Sequence, residues 1–311
     1  MRFLALTALF LALPLCAQVK FTQQTGRILV EIDGKPYTTF FLAPGGNKPY
    51  VYPLSTATGL VVTRHFPMEA FPGETDDHPH HRGMFFSHGD VNGYNFWATE
   101  PDTDRSKAGR MVLKKIVEAK GGEKSGTIRV VFDGDDPKGK PIMTETRTIT
   151  FHSDSRLRII DYEARIDAIE KLVFADTKEG TFGIRLATSM TEDKGGRMTN
   201  AEGKETEKNV WGKRSPWVDY DGKVNGQSVG VAIFDNPANP RHPTYWHARA
   251  YGLFAANPFG VRDFTGDKTQ NGSMTVEAGK TIRFRYRVVI HPGDVRSANI
   301  AELYKQYTSK Q

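Results

Sequence analysis

Residues 281–290, TIRFRYRVVI, carry the clearest strand pattern in this sequence. Apolar side chains occupy every second position from Ile282 to Ile290, and Arg283, Arg285 and Arg287 stand between them. Because successive side chains of a strand point to opposite faces, this alternation predicts a strand with one buried and one solvated face. A sheet built of such strands has to bury its apolar face against a second layer.

The same period-two pattern recurs along most of the chain. It is clear at residues 156–166, where Ile160 and Tyr162 alternate with Asp161 and Glu163. Further strands are predicted at residues 27–41 (two strands joined at the hairpin signal Asp33-Gly34), 59–66, 111–119, 127–132, 142–151, 181–187 and 228–234. Residues 99–110 and 192–208 are polar and without period, which predicts loops, the second one long enough to form a lid.

One helix is expected near the C-terminus, over residues 297–307, with Ser297 as its N-cap. Many strands and a single late helix predict an all-β fold: a large antiparallel β-sandwich with a short C-terminal helix. We expect residues 18–311 to form one domain.

The first seventeen residues have the pattern of a signal peptide. Arg2 is followed by an apolar run and then by Leu15-Cys16-Ala17, so cleavage is expected after Ala17. This cleavage would remove Cys16, the only cysteine, and lipidation of Cys16 is the alternative outcome. The apolar run is too short to span a bilayer, and no later stretch is long enough. We therefore expect an exported protein, periplasmic or extracellular, without a membrane span.

Charge indicates which partners to expect. The chain has 42 basic and 36 acidic residues, a net charge of +6, and they are dispersed without a dense basic run. A nucleic-acid partner is therefore not expected.

Residues 76–97, DDHPHHRGMFFSHGDVNGYNFW, hold four of the nine histidines together with aspartates, asparagines and aromatic residues. A polar cluster set among aromatic side chains is typical of a small-molecule site. Because His78 precedes Pro79, we expect extended backbone that places His78 and His80 on one face. Asn92-Gly93 predicts a type I′ hairpin. The alternative is that these histidines only bond to backbone around a hairpin.

Two later segments have the same mixed character. In residues 241–257, RHPTYWHARAYGLFAAN, an extended backbone would place His247 and Arg249 on one face and Trp246 on the other. Residues 176–185 contain the adjacent pair Lys178-Glu179 and then Arg185. Each segment also has a purely structural interpretation, as a half-buried strand or as solvated charge.

Three chemistries fit such residues. Imidazoles with a carboxylate can perform acid–base catalysis near neutral pH. Two or three neutral imidazoles with a carboxylate can bind a divalent metal, so the cofactor is left open. Histidine, arginine, asparagine and tryptophan can also simply hold a polyhydroxylated ligand.

Three stretches, DHPHHRGMFFSHGDVNGYNFW, DTKEGTFGIR and RHPTYWHARAYGLFAANPFG, resemble the signature segments of a PmoA-like family of exported bacterial proteins, labelled "methane oxygenase PmoA". The label implies a metal-dependent oxygenase. The strand-rich layout, and Gly279-Lys280-Thr281 leading into RFRYRVVIHPGD, also resemble galactose-mutarotase-type supersandwich proteins. That resemblance implies a broad sheet face where histidines and carboxylates handle a sugar.

Our leading hypothesis is an exported, carbohydrate-active protein that binds a sugar or glycoside in a cleft between the three segments. The alternatives are a non-catalytic ligand-binding protein and a metal-dependent oxygenase. The candidates for acid–base catalysis are His80, His88, Glu179 and His247, with Asp90 as an alternative carboxylate. The candidates for ligand binding are His78, His81, Asp90, Asn92, Trp97, Lys178, Arg185, Arg241, His242, Trp246, Arg249 and Asn257.

Overall fold

The computed structural model describes residues 18–43, 48–98 and 103–309. The expected signal segment, residues 1–17, and part of the loop expected at 99–110 lie outside these ranges. Two eight-stranded antiparallel sheets dominate the described chain. The first sheet contains, in spatial order, β1 (Val19–Gln24), β2 (Arg27–Ile32), β3 (Lys35–Phe41), β4 (Tyr50–Tyr52), β5 (Met84–His88), β11 (Gly180–Arg185), β16 (Leu253–Asn257) and β15 (Tyr245–Ala248).

The second sheet takes most of its strands from the middle of the chain. In spatial order it contains β12 (Arg197–Asn200), β13 (Trp217–Val224), β14 (Gln227–Asp235), β18 (Thr281–Pro292), β9 (Arg158–Ala168), β8 (Pro141–His152), β7 (Ser125–Asp135) and β6 (Arg110–Lys120). A two-stranded sheet joins β10 (Leu172–Phe174) to β17 (Met274–Val276).

The two large sheets pack face to face over one buried apolar cluster. Phe182 of the first sheet stacks on Tyr286 of the second, with ring centroids 4.6 Å apart, and Phe86 lies 6.2 Å from Tyr162. The apolar positions of β18 that the alternation predicted are buried, and the arginines between them face outward. Val289 and His291, on the same face as the arginines, are buried as well. The prediction of a large antiparallel β-sandwich is confirmed.

Helices are few and short in the ranges that the structure describes. They are α1 (Glu207–Val210), α2 (Val261–Thr265) and α3 (Ile300–Thr308), with 3₁₀ turns at Thr188–Met190 and Glu192–Lys194. The C-terminal helix is confirmed, but its expected N-cap is not: Asn299 precedes the first turn, and Ser297 bonds to Asp294 instead. Helix α3 covers the outer face of the second sheet, where Tyr304 packs on Phe234 at 5.4 Å. No helix in the described part of the chain is long and apolar enough to cross a membrane.

Two local expectations were wrong, and one strand was not predicted. Residues 59–66 form only isolated bridges, at Val61 and Thr63, instead of a strand. The stretch 192–208 contains strand β12 as well as short helical turns, because four residues are too few to show an alternation. Strand β13 was not predicted: its alternation of Val218 and Tyr220 with Asp219 and Asp221 is short and ends at Gly222-Lys223.

Candidate functional site

The outer face of the first sheet brings the three segments together. The strand register places Tyr50 opposite Phe85, Phe85 opposite Gly183, Gly183 opposite Ala255, and Ala255 opposite His247. These five residues therefore form one row across β4, β5, β11, β16 and β15, on the face turned away from the sandwich core. We call this surface, with the loops folded over it, the histidine face.

A tight turn folds the first segment onto this face. His78 has φ of +44°, and its carbonyl oxygen accepts a hydrogen bond from the His81 backbone nitrogen at 3.0 Å. The extended backbone expected before Pro79 is therefore wrong, because the turn overrides the local preference. The turn stacks the His78 ring on His81, at 4.9 Å, and on Tyr251, at 5.1 Å.

Aromatic rings enclose the other two imidazoles of this turn. His81 stacks above Phe85 at 6.1 Å and meets Trp97 edge-on at 5.5 Å. His80 lies 4.4 Å from the His81 ring and 6.4 Å from Trp97. The result is a wall of imidazole and indole rings beside the row of sheet residues.

Two buried arginines are held under the turn by one carboxylate. Asp77 Oδ1 accepts hydrogen bonds from Arg64 Nη1 at 2.5 Å and from Arg185 Nη2 at 2.6 Å. Arg64 and Arg185 are 0% and 1% exposed, so Asp77 supplies the compensation that their burial requires. Burial, and then the charge of Arg64, lowers the pKa of Arg185 to about 10. Burial raises the pKa of Asp77, but the two guanidinium groups outweigh it and hold that pKa below its usual value.

The third segment supplies the opposite wall. Trp211 Nε1 donates a hydrogen bond to His247 Nδ1 at 3.2 Å. Arg249 pairs with Glu207 at 2.9 Å, and its guanidinium lies over the rings of Trp211 and Tyr251. Tyr251 also lies under the Arg185 guanidinium at 4.7 Å, so it links this wall to the second segment.

Lys178 and Glu179 border the same region. Their side chains form an ion pair at 3.0 Å, and each is more than a third exposed. Burial raises the pKa of Tyr251 to about 12, and the nearby negative charge of Glu179 adds to the rise. Glu179 therefore lies within electrostatic reach of the Tyr251 hydroxyl, at a position that a ligand from solvent can reach.

Three imidazoles of the histidine face, those of His80, His81 and His247, are neutral at pH 7. Burial, and then the charge of Lys48, lowers the pKa of His80 to about 3, and burial places that of His81 well below its usual value. Burial, followed by the charges of Arg249 and Lys178, lowers the pKa of His247 to about 3. These three side chains can therefore donate and accept hydrogen bonds without carrying charge.

Several polar atoms buried at this face have no hydrogen-bond partner among the described residues. They are His81 Nε2, Ser87 Oγ, Trp97 Nε1, Thr181 Oγ1 and Arg185 Nε. Ser87 and Thr181 are directly opposite each other in the sheet register. Buried polar atoms in folded proteins nearly always have hydrogen-bond partners. The concentration of unpartnered atoms at this face therefore indicates a site where molecules bind.

Some of the expected site residues lie elsewhere. His88 is on the core side of β5, where its ring packs 4.5 Å from Phe259 and its Nε2 donates to the Ala175 carbonyl oxygen. Burial lowers the pKa of His88 to about 4. The reason is the strand alternation, which directs Phe85 outward and His88 inward. Its expected role in catalysis at the histidine face is not supported by this position.

Asp90 and Asn92 build the hairpin that follows β5. Asn92 and Gly93 have φ of +57° and +84°, as a type I′ turn requires, and Asp90 Oδ1 accepts from the Gly93 backbone. Asn92 also bonds to the backbone at Lys171 and Val173. The Asp90 side chain thus holds the turn, and the Asn92 side chain ties the turn to the chain around β10.

Four further candidates have structural partners. Arg241 donates to the Pro258 and Ser273 carbonyl oxygens, and His242 Nδ1 donates to Asp235 Oδ2 at 2.7 Å. Trp246 is fully buried and donates to the Ser215 carbonyl oxygen. Asn257 donates to the carbonyl oxygens of Thr177 and Lys178, so it supports the loop that carries Glu179.

Other residues of the face were missed as candidates by sequence reasoning. Arg64 comes from a stretch that was predicted as an ordinary strand, and Tyr251 and Asp77 lie inside quoted segments but were not selected. Lys48 donates to the Trp97 carbonyl oxygen from a part of the chain that carries no motif. Trp211, which bonds to His247, lies outside the three quoted segments.

The sequence alone left a divalent metal open as a cofactor. In residues 18–43, 48–98 and 103–309, no three His, Cys, Asp or Glu side chains are arranged to hold a metal ion.

The fold and this face together define a β-sandwich protein with a histidine-lined cluster on the outer face of one sheet. A family model matches residues 27–305, and the chain belongs to that family, described as "Family of unknown function (DUF6807)". No curated protein sequence matches the chain.

Several solved structures align with this chain at low identity. A galactose mutarotase-like protein from Clostridium acetobutylicum aligns with a TM-score of 0.41 at 10% identity, over 88% of this chain and 98% of that one. A galactose mutarotase-like protein from Lactobacillus casei aligns with a TM-score of 0.40 at 9% identity, over 88% and 100%. A GH36 alpha-galactosidase from Geobacillus stearothermophilus aligns with a TM-score of 0.41 at 10% identity, and this chain spans only 40% of its length.

Proposed function

We propose that this chain is an exported protein that binds a sugar or glycoside at the histidine face and transforms it by acid–base chemistry. The observation that carries the proposal is the convergence of the three segments, which places neutral imidazoles, aromatic rings and buried guanidinium groups on one sheet face. Sugars present many hydroxyl groups and apolar ring faces. Neutral imidazoles serve hydroxyl groups as donors and acceptors, and aromatic rings pack against the ring faces.

The acid–base step would involve Glu179 with His80 or His247. Glu179 is partly exposed and paired with Lys178, so its carboxylate is reachable as a proton acceptor. His80 is partly buried, whereas His247 is buried and has one ring nitrogen engaged by Trp211. Proton transfer by such a positioned group contributes about 10²–10⁴-fold to a rate.

A thermal-shift screen against neutral sugars, sugar acids, keto-sugars and glycosides tests the binding, since a ligand of the native state raises its stability. His80→Gln and His247→Gln should abolish the shift caused by any ligand found. His152→Gln is the matched control, because His152 pairs with Asp161 on the outer face of the second sheet. A ligand response that survives both site substitutions would contradict the proposal.

The second candidate is ligand binding without catalysis, and one observation favours it. With pKa values near 3, His80 and His247 are weak bases at neutral pH, far from the match between pKa and working pH that efficient proton transfer needs. Incubating the protein with each bound ligand and following the ligand by NMR separates the two candidates. Slow or absent conversion at saturating protein would assign the site to binding alone.

The export signal and the PmoA-like resemblance stay predictions from sequence, and the metal-dependent oxygenase rests on that resemblance alone.

A further inference from the structure

We infer that the ligand of the histidine face is a sugar that carries a carboxylate group, a uronate or an aldonate, held by His247 Nε2–H, Arg249 and Lys178. The inference rests on the proposed function and narrows its substrate class. It follows from which hydrogen-bonding atoms of the site are already engaged and which are left over.

The hydrogen bond from Trp211 fixes the tautomer of His247. An indole nitrogen can only donate a hydrogen bond, so Trp211 Nε1–H requires His247 Nδ1 to be the acceptor. In a neutral imidazole the proton must then be on Nε2. Because His247 is neutral at pH 7, it presents Nε2–H as a donor, and this atom has no protein partner in the described chain.

His81, on the other wall, has the same tautomer as His247. Arg185 Nη1 approaches His81 Nδ1 at 3.4 Å, and a guanidinium has no acceptor, so His81 also carries its proton on Nε2. His81 Nε2, Arg185 Nε and Trp97 Nε1 are buried and lack partners among the described residues. The unpartnered nitrogens on both walls are thus donors.

The carboxylates, in contrast, are engaged. Asp77 pairs with two arginines, Glu179 pairs with Lys178, and Glu207 pairs with Arg249. In these ion pairs four cations stand against three carboxylates, and Lys48, which donates to the Trp97 carbonyl oxygen, adds a further cation at the face. A surplus of donors and of positive charge favours an anionic ligand, and a carboxylate supplies the acceptor oxygens.

Matched ligand pairs test the inference on the intact protein. Glucuronate against glucose, galacturonate against galactose, and glucose 6-phosphate as the dianion should be compared by isothermal titration calorimetry. We expect each sugar acid to bind about tenfold more tightly than its neutral partner, as expected for a charge-assisted hydrogen bond. Raising the salt from 50 to 500 mM should reduce this preference, because the interacting charges at the rim are partly exposed.

A positioning variant tests the role of Trp211. Trp211→Phe keeps a ring beside Arg249 but removes the indole donor, so His247 should gain the second tautomer. ¹⁵N NMR of the imidazole nitrogens should show the mixture of tautomers. The affinity for sugar acids should fall by several-fold; on a logarithmic scale this loss is about half of the tenfold preference for sugar acids over neutral sugars. Trp217→Phe, at an indole buried on the second sheet, is the control and should change neither readout.

The outcomes separate the two proposals. Equal affinity for sugar acids and neutral sugars, or tighter binding of the sugar phosphate, would overturn the carboxylate inference and leave sugar binding in place. If none of these ligands binds, both proposals fail. An unchanged His247 tautomer in Trp211→Phe would overturn the argument from hydrogen bonding.

Discussion

Asp77 and Arg185 join the first and second segments of the histidine face through a hydrogen bond of 2.6 Å between Oδ1 and Nη2. The same oxygen accepts from Arg64, and the other carboxylate oxygen lies 3.2 Å from His78 Nδ1. One carboxylate thus compensates two buried guanidinium groups and fixes the turn that presents His78, His80 and His81. The integrity of the site should depend on this residue.

Replacing Asp77 with asparagine should destabilise the protein. The change leaves two buried positive charges without a counter-charge, which typically costs about 3–5 kcal/mol; we expect about 2 kcal/mol here, because Asp77 is more than a third exposed. Urea denaturation at pH 7 measures the effect. Asp76→Asn, at the exposed neighbouring position, is the control and should change the free energy of unfolding by less than about 0.5 kcal/mol. Equal stability of both variants would contradict the assigned role of Asp77.

The neutral imidazole of His247 should make stability fall as the pH is lowered. In the unfolded chain a histidine takes up a proton near pH 6.5, whereas in the folded protein its pKa is about 3. Between these values the unfolded state binds more protons, so the free energy of unfolding decreases by up to about 1.4 kcal/mol per pH unit. Denaturation curves measured at several pH values from pH 4 to pH 6 give the free energy of unfolding. This free energy should change less with pH for His247→Gln than for the wild type. Identical slopes would mean that His247 is protonated in the folded state.

His291 should have the opposite pH dependence. Its Nε2 donates to Asp219 Oδ1 at 2.8 Å, with both side chains fully buried. Burial lowers the pKa of His291, but the Asp219 charge outweighs it and raises that pKa above the usual value. The contribution of this pair is therefore complete below about pH 6.5 and is lost as the pH rises through the raised pKa.

Two variants check this second histidine. His291→Gln should cost about 3 kcal/mol at pH 6 and remove the decline of stability at higher pH, because it leaves Asp219 buried without a cation. Gly230→Ala should have a similar effect on stability, since a β-carbon at position 230 would lie 2.3 Å from His291 Cε1. Neither change should alter ligand binding, because the pair belongs to the second sheet. Loss of binding in both would show that the sheets are coupled.

Export should remove the first seventeen residues. Arg2, the apolar run and Ala17 predict cleavage before Gln18, so the mature chain would contain no cysteine. Intact-mass spectrometry of protein recovered from the periplasm or medium gives the mass of the mature chain. A retained N-terminus, or the added mass of a lipid on Cys16, would contradict cleavage after Ala17.

Much of the strand layout was predictable because it depends on local alternation. The pattern at residues 281–290 and 156–166 correctly gave β18 and β9, and Asp33-Gly34 correctly gave the hairpin between β2 and β3. Short strands escaped detection: three residues, as in β4, cannot display a period. The segments that meet at the histidine face could be selected from composition, but the partners of each histidine could not.

Antiparallel sheets are predictable from the amino-acid sequence of this chain, since period-two patterning is a property of neighbouring residues. The same holds for the three segments in which histidines, aromatics and charges occur together. Which of these side chains meet depends on contacts between distant segments. The turn at His78 and the register of β5 against β11 direct His81 and Arg185 to the outer face and His88 to the core. Register is set by pairing between strands that are distant in sequence, and a shift by one residue would exchange the two faces.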